Sequence, residues 1–256
     1  MDFKINSNNN TFGIVRNINF NWSRLTRSFV KLSSGLKINS ASDGPAVLVI
    51  SEQLRSRIAS LNQEIKNIDA QIYKYQYASA TVSQLRSDMT NLRTLAIGAA
   101  NEGGNNKTSQ AAYQNEADMI VSNYNYTIDT AEYNGSNILD GSLGSLASLD
   151  YMANLDFSTA EAAQASISQI DQTIAELDKV QVELGAKQAN QFEPEKSNLE
   201  ITKSNLLAAE SGLRDLDYAS EFTNMITEMF KIKAGIALLA HSHLTTKSVI
   251  QLLSTK

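Results

Sequence analysis

The sequence predicts a mainly α protein, an antiparallel long-helix coiled-coil bundle with a small β-hairpin tip. Three observations carry this. Two prolines and twelve glycines in 256 residues leave few places to break a helix, whereas a β-sandwich needs a turn signal roughly every 8–12 residues. Apolar residues recur at spacings of three and four over long stretches, the period of one helix face. Between Tyr133 and Ser158 that period stops and tight-turn dipeptides take over.

The first segment, from about Thr11 to Leu32, places Phe12, Val15, Ile18, Trp22, Leu25, Phe29 and Leu32 on one helical face. The second starts at Gly44-Pro45, because proline is tolerated in the first turn of a helix. Its apolar residues Ile50, Leu54, Ile58, Leu61, Ile65, Ile68 and Ile72 form a coiled-coil seam. The pattern continues more weakly through Val82, Leu85, Met89, Leu92 and Ala96. Asn101 to Asn106, with two glycines, ends that helix, and a shorter one follows from about Ser109 to Thr130. Asn134-Gly135 and Asp140-Gly141 then predict turns, while Leu149, Tyr151, Leu155 and Phe157 hint at short strands. Ser158-Thr159-Ala160-Glu161 reads as a helix start. Its seam runs through Ile167, Ile170, Ile174, Leu177, Val180 and Leu184. Pro194 predicts a kink or break near Gln191–Glu193 before the pattern returns at Leu199, Leu206 and Leu213. A last helix is expected from Tyr218 to about Leu253.

Charge and composition remove many functions. Residues 1–37 carry six Lys/Arg and one acid, and residues 230–256 carry four lysines and no acid. The overall net charge is nevertheless −5, so the middle is acidic. The basic residues are sparse and lack interleaved aromatics, which argues against nucleic acid. With no cysteine, disulfides, thiolate metal sites and cysteine nucleophiles drop out. His241 and His243 lie on different helix faces and make a poor metal pair. Asp215, Asp217 and Glu221 read as acids at a helix start, favoured by its dipole. Neither an enzyme nor a cofactor is expected. The longest apolar run, about seven residues around Ala237–Ala240, is far too short for a bilayer. The start of the chain also lacks the apolar core of a secretory signal.

Lys31-Leu-Ser-Ser-Gly-Leu-Lys-Ile-Asn-Ser-Ala-Ser-Asp43 closely resembles the signature near the N-terminus of bacterial flagellins. Ile50 to Ser56, Leu92 to Ala96, Glu132 to Gly135, Ala163 to Asp171, Leu207 to Ser211 and Arg214 to Asp217 continue the resemblance in order. It implies the filament subunit of the bacterial flagellum, a homopolymer outside the cell, exported without a cleaved signal peptide and without membrane insertion. Residues 1–43 and 218–256 would form the inner coiled-coil layer. Residues 44–217 would form the middle layer, with the β tip at about 133–158. The gap between Asp140 and Ser158 is too short for variable outer domains, so a near-minimal form is expected.

The resemblance also implies partners: an export chaperone, cap and junction proteins, and in some filaments other flagellins or a sheath. Assembly residues by motif match are Leu32, Ile38, Asn39, Ile50, Arg55, Asp215 and Asp217, with Phe222, Met229 and Leu239 from the last helix. Arg93 and Leu95 match part of a surface recognised by an animal innate receptor (Toll-like receptor 5). Asn91 and Asn123 replace other residues of that surface, so recognition is expected to be weak or absent. Ser142, Ser145 and Ser148 are candidate glycosylation positions at the tip. A hook–filament junction protein and a secreted protein that binds a host receptor or surface are the competing readings.

Overall fold

The computed structural model describes residues 9–141 and 149–254. Six α-helices appear in order: α1 (Asn9–Ser34), α2 (Pro45–Ala99), α3 (Lys107–Thr130), α4 (Ala160–Lys187), α5 (Glu193–Arg214) and α6 (Tyr218–Ser254). Strands β1 (Glu132–Tyr133) and β2 (Ser136–Asn137) pair antiparallel. A π-helical turn, Gln188–Phe192, links α4 to α5. The chain divides into two compact units, one of residues up to Ser60 with those from Lys203 on, the other Leu61–Thr202.

In the unit Leu61–Thr202 the core is a seam along α2. Ile68, Ile72, Tyr75, Ala78, Val82, Leu85, Met89, Leu92, Ala96 and Ala99 are all buried. Their spacing of three and four keeps one stripe facing the partner helices. The small residues Ala78, Ala96 and Ala99 sit on that stripe, where they permit close approach. Helix α4 runs antiparallel along α2, marked by the ion pairs Arg93–Asp171 and Arg86–Asp178. Lys196 of α5 adds a third, to Asp69 at 2.7 Å. These pairs are substantially exposed and fix register more than they stabilise.

The helix ends follow local chemistry. Pro45 opens α2, as its fixed φ and missing N–H allow. Asn105 Nδ2 donates to the carbonyls of Gly98 and Ala99, which satisfies the end of α2. Asn106 and Ser109 form a reciprocal capping box, so α3 starts two residues before the expected Ser109. Thr159 caps α4 through the Ala162 N–H.

The tip differs from expectation. Asn134-Gly135 does make the hairpin turn, with φ of 54° and 75°. Residues 149–157, where short strands were expected, form no strand. Leu149, Met152, Leu155 and Phe157 are nevertheless buried. Side-chain amides of α3 take the place of a partner strand. Asn125 both donates to the Met152 carbonyl and accepts its N–H, at 3.1 and 2.9 Å. Gln114 donates to the Leu155 carbonyl and accepts the Phe157 N–H, at 2.8 and 2.6 Å. The backbone is thereby satisfied without a ladder. Ser142, Ser145 and Ser148 lie outside the described residues.

Pro194 does not end the helical path. The Glu193 N–H reaches back to the Gln188 carbonyl, an i→i−5 bond, and α5 continues to Arg214. The wider turn draws apart the carbonyl that a proline ring would strike. It also absorbs one extra residue. Buried Leu177 and Leu184 are one heptad apart, while the next seam residues, Phe192, Leu199 and Leu206, lie one position later than that repeat requires. Phe192 is consequently buried, edge-on to Tyr75 with ring centroids 4.8 Å apart.

Candidate assembly surface

The other unit pairs α1 with α6. Thr11 meets Ser242, Arg24 meets Glu228 and Ser28 meets Glu221, so the helices run antiparallel. Leu25, Met225 and Ile232 are buried between them, with Ile18, Leu32 and Met229 packed around. At Gly235 the backbones come so close that a Cβ would lie 2.9 Å from Ile18 Cγ1. Glycine is required there by contact, not by conformation.

Polar groups lock the pair. Ser28 donates to Glu221 Oε1 at 2.6 Å. Glu228, only 3% exposed, takes Arg24 and Lys231 on Oε1 while its Oε2 is buried without a partner. Arg24, Ser28, Glu221 and Glu228, with Arg27, line a cleft of about 350 Å³. Arg214, Glu52, Glu210 and buried Ser51 form a second cluster. Among the described residues no three His, Cys, Asp or Glu gather as a metal site, and no helix is long and apolar enough to cross a membrane.

The flagellin-like motif folds as a clasp. Gly35, at φ 73°, ends α1 through its N–H to the Lys31 carbonyl. Lys37 N–H donates to the Arg214 carbonyl, and Leu216 N–H to that of Gly35. Ile38 is buried, and Asn39 donates to Ser34 Oγ and the Leu36 carbonyl. Asp43 accepts from the Asn39 and Ser40 N–H groups and from Ser40 Oγ. Those bonds, led by the Ser40 hydroxyl, lower its pKa against the opposing effect of burial.

The motif-matched residues therefore separate into two groups. Leu32, Ile38, Asn39 and Met229 are engaged inside this unit. Asp217 caps α6 by accepting the Ser220 N–H, and Asp215 accepts from Ser211 Oγ, so both carboxylates serve helix termini. Ile50, Arg55 and Phe222 face outward, Arg55 beside Glu52, and Leu239 is half-buried. Arg93 is held by Asp171, which raises its pKa, and half-buried Leu95 packs on the core of its own unit.

Beyond these, a large apolar surface is left on the α1–α6 pair. Phe12, Phe20, Trp22, Phe29 and Val30 of α1 are exposed, as are Phe222, Ile226, Phe230, Ile236, Leu238 and Leu244 of α6. Phe12 and Phe230 are each 73% exposed. Phe20 and Leu238 escape a reading that keeps one apolar stripe per helix. For Leu238 the signal is that α6 is apolar on more than one side, as a helix covered on several sides would be.

Long paired helices that leave aromatic faces uncovered define a helical structural protein of the self-associating kind. Comparison with known proteins agrees. The family model for the bacterial flagellin N-terminal helical region matches residues 5–144, and that for the C-terminal helical region matches residues 167–253. A flagellin of Halalkalibacterium halodurans is 31% identical over 97% of this chain and 99% of its own length. Flagellin FlaB2 of Treponema pallidum is 28% identical over 89% of this chain and 91% of its own. A Clostridium tyrobutyricum flagellin is 34% identical over 61% of this chain, which spans only 41% of that longer relative. The chain belongs to the bacterial flagellin family. It is a structural subunit of the extracellular flagellar filament.

Proposed function

We propose that this chain is a near-minimal flagellin whose exposed α1–α6 face is covered by other copies of itself in the filament. The observation that carries this is the set of exposed aromatic groups on that face, Phe12, Phe20, Trp22, Phe29, Phe222 and Phe230. Monomeric proteins rarely leave so large an apolar patch open to water. Residues 1–43 and 218–256 form the inner layer and residues 44–217 the next. Ile50, Arg55, Phe222 and Leu239 act in contacts between subunits. Leu32, Ile38, Asn39, Asp215, Asp217 and Met229 hold the surface in shape. The protein performs no catalysis. It leaves the cell handled by an export chaperone and meets cap and junction proteins at the filament ends; other flagellins or a sheath share some such filaments. The substitutions by Asn91 and Asn123 support weak recognition by the innate receptor.

Seeded polymerisation followed by negative-stain electron microscopy tests the reading. Long, uniform tubes are expected, and deletion of residues 1–32 or 230–256 should abolish them. Phe230→Glu should slow elongation without changing the helicity of the unit Leu61–Thr202. Closed rings or persistent monomers from the intact chain would overturn it in favour of a junction-type subunit.

A further inference from the structure

We propose that Tyr77 and Tyr133 form an oxidative cross-linking site, at which a haem peroxidase with hydrogen peroxide converts the two phenols into a dityrosine that staples α2 to strand β1. Their ring centroids are 6.3 Å apart and the rings are tilted by 42°. That lies within the roughly 4.5–7 Å range of aromatic pairs in contact. Tyr77 projects from the middle of α2, and Tyr133 is held by the two-stranded hairpin beside the Asn134-Gly135 turn. Tyr77 is 43% exposed and Tyr133 half-buried, so oxidant can reach the pair while the fold keeps it together.

The chemistry balances within the named reactants. Each phenol loses one electron and its hydroxyl proton. The two phenoxyl radicals join through ring carbons ortho to oxygen, and the hydrogens displaced from those carbons return to the oxygens. One hydrogen peroxide is reduced to two waters for each bond made.

Other tyrosines are placed differently. Tyr75 lies on the buried side of α2 and packs against Phe192. Tyr151 directs its hydroxyl onto Asp129. Tyr126 is more exposed than Tyr77, so reactivity set by exposure alone would favour it. Preorganised proximity makes the Tyr77–Tyr133 coupling intramolecular. A chain with no cysteine has no disulfide available as a covalent fastening, and this bond would close the chain between residues 77 and 133 in the same way.

The test treats the dilute, monomeric full chain with haem peroxidase and hydrogen peroxide, then reads dityrosine fluorescence and the cross-linked peptides by mass spectrometry. The expected result is one dominant intrachain product joining the peptides of Tyr77 and Tyr133, lighter than their sum by two hydrogens, with a yield independent of dilution. Tyr77→Phe and Tyr133→Phe should each remove at least nine-tenths of it, and Tyr126→Phe should leave it unchanged. In urea its share should fall to that of the other tyrosine pairs. Circular dichroism of each variant shows whether it is folded; because the two phenylalanine variants act independently, either one suffices. Products spread by exposure over Tyr73, Tyr126 and Tyr151, a yield that falls with dilution, or a yield unchanged in urea would overturn the proposal.

Discussion

The π-turn before Pro194 gives a prediction in which sign and size follow from geometry. The turn holds one residue more than the heptad repeat of α4 and α5 needs, and Asn190 within it is exposed. Deleting Asn190 should restore a continuous α register with Phe192 still against Tyr75 and Leu199 still on the seam. The remaining conflict is then Pro194, which would sit in an α-helix interior. Its ring would strike the carbonyl four residues back, at a cost of about 3 kcal/mol. Deletion of Asn190 alone should therefore lose about 3 kcal/mol, whereas deletion combined with Pro194→Ala should stay within about 1 kcal/mol of the parent. A control deletion of Lys179, outside the π-turn, rotates everything beyond it by about 100° relative to the rest of α4. That displaces several seam residues at once, each worth about 2–5 kcal/mol on truncation, so the unit should not fold. Urea unfolding by far-UV circular dichroism, with hydrogen exchange across residues 61–202, measures all three. A double change as damaging as the control deletion, or a neutral Asn190 deletion, would show that the π-turn does not absorb a surplus residue ahead of Pro194.

Three further outcomes are expected. Gly235→Ala should weaken α1–α6 pairing, because crowding of about 1–3 kcal/mol against Ile18 exceeds the roughly 1 kcal/mol gain in helix propensity; Ile18→Ala should rescue it, as read by filament elongation rates and hydrogen exchange in α1. Phe157→Ala, at a fully buried position whose N–H is held by Gln114, should cost about 3–5 kcal/mol in urea unfolding of the unit Leu61–Thr202. Asp43 has a lowered native pKa, so its contribution is present above its unfolded value of about 3.9 and disappears as pH falls through the native value; Asp43→Asn should remove that acid-range change in the stability of the Ser40–Asp43 turn, followed by NMR of the Asn39 and Ser40 amides.

The legible parts were those written in local chemistry. The α2 seam from Ile58 onward, the Pro45 start, the Asn134-Gly135 turn and the Thr159 cap each depend on a few neighbouring residues, and each lies where those residues put it, whereas Ile50 at the head of the seam is exposed. The extra residue was also present in the sequence, as the 15-residue step from Leu184 to Leu199. How the chain would absorb it was not, because a break, a kink and a π-turn all satisfy the same spacing. Residues 149–157 misled for a related reason. Alternating apolar residues describe burial on one side, and strand pairing needs a partner that the local pattern does not name. Here the partners are Gln114 and Asn125 on α3, brought in by tertiary packing.

The same division holds for the assembly surface. Composition and the period of three and four determined long helices, a cysteine-free chain and large apolar groups near both ends. Which of those groups stay uncovered was decided only when α1 met α6. Leu25, Met225 and Ile232 were consumed by that contact, and Phe12, Trp22, Phe222 and Phe230 were left outside it. A helical pattern specifies the faces a helix has. The antiparallel register, set here by the close approach at Gly235 and by Ser28 and Arg24 reaching Glu221 and Glu228, selects the face that is spent inside the molecule and the face that remains for another copy.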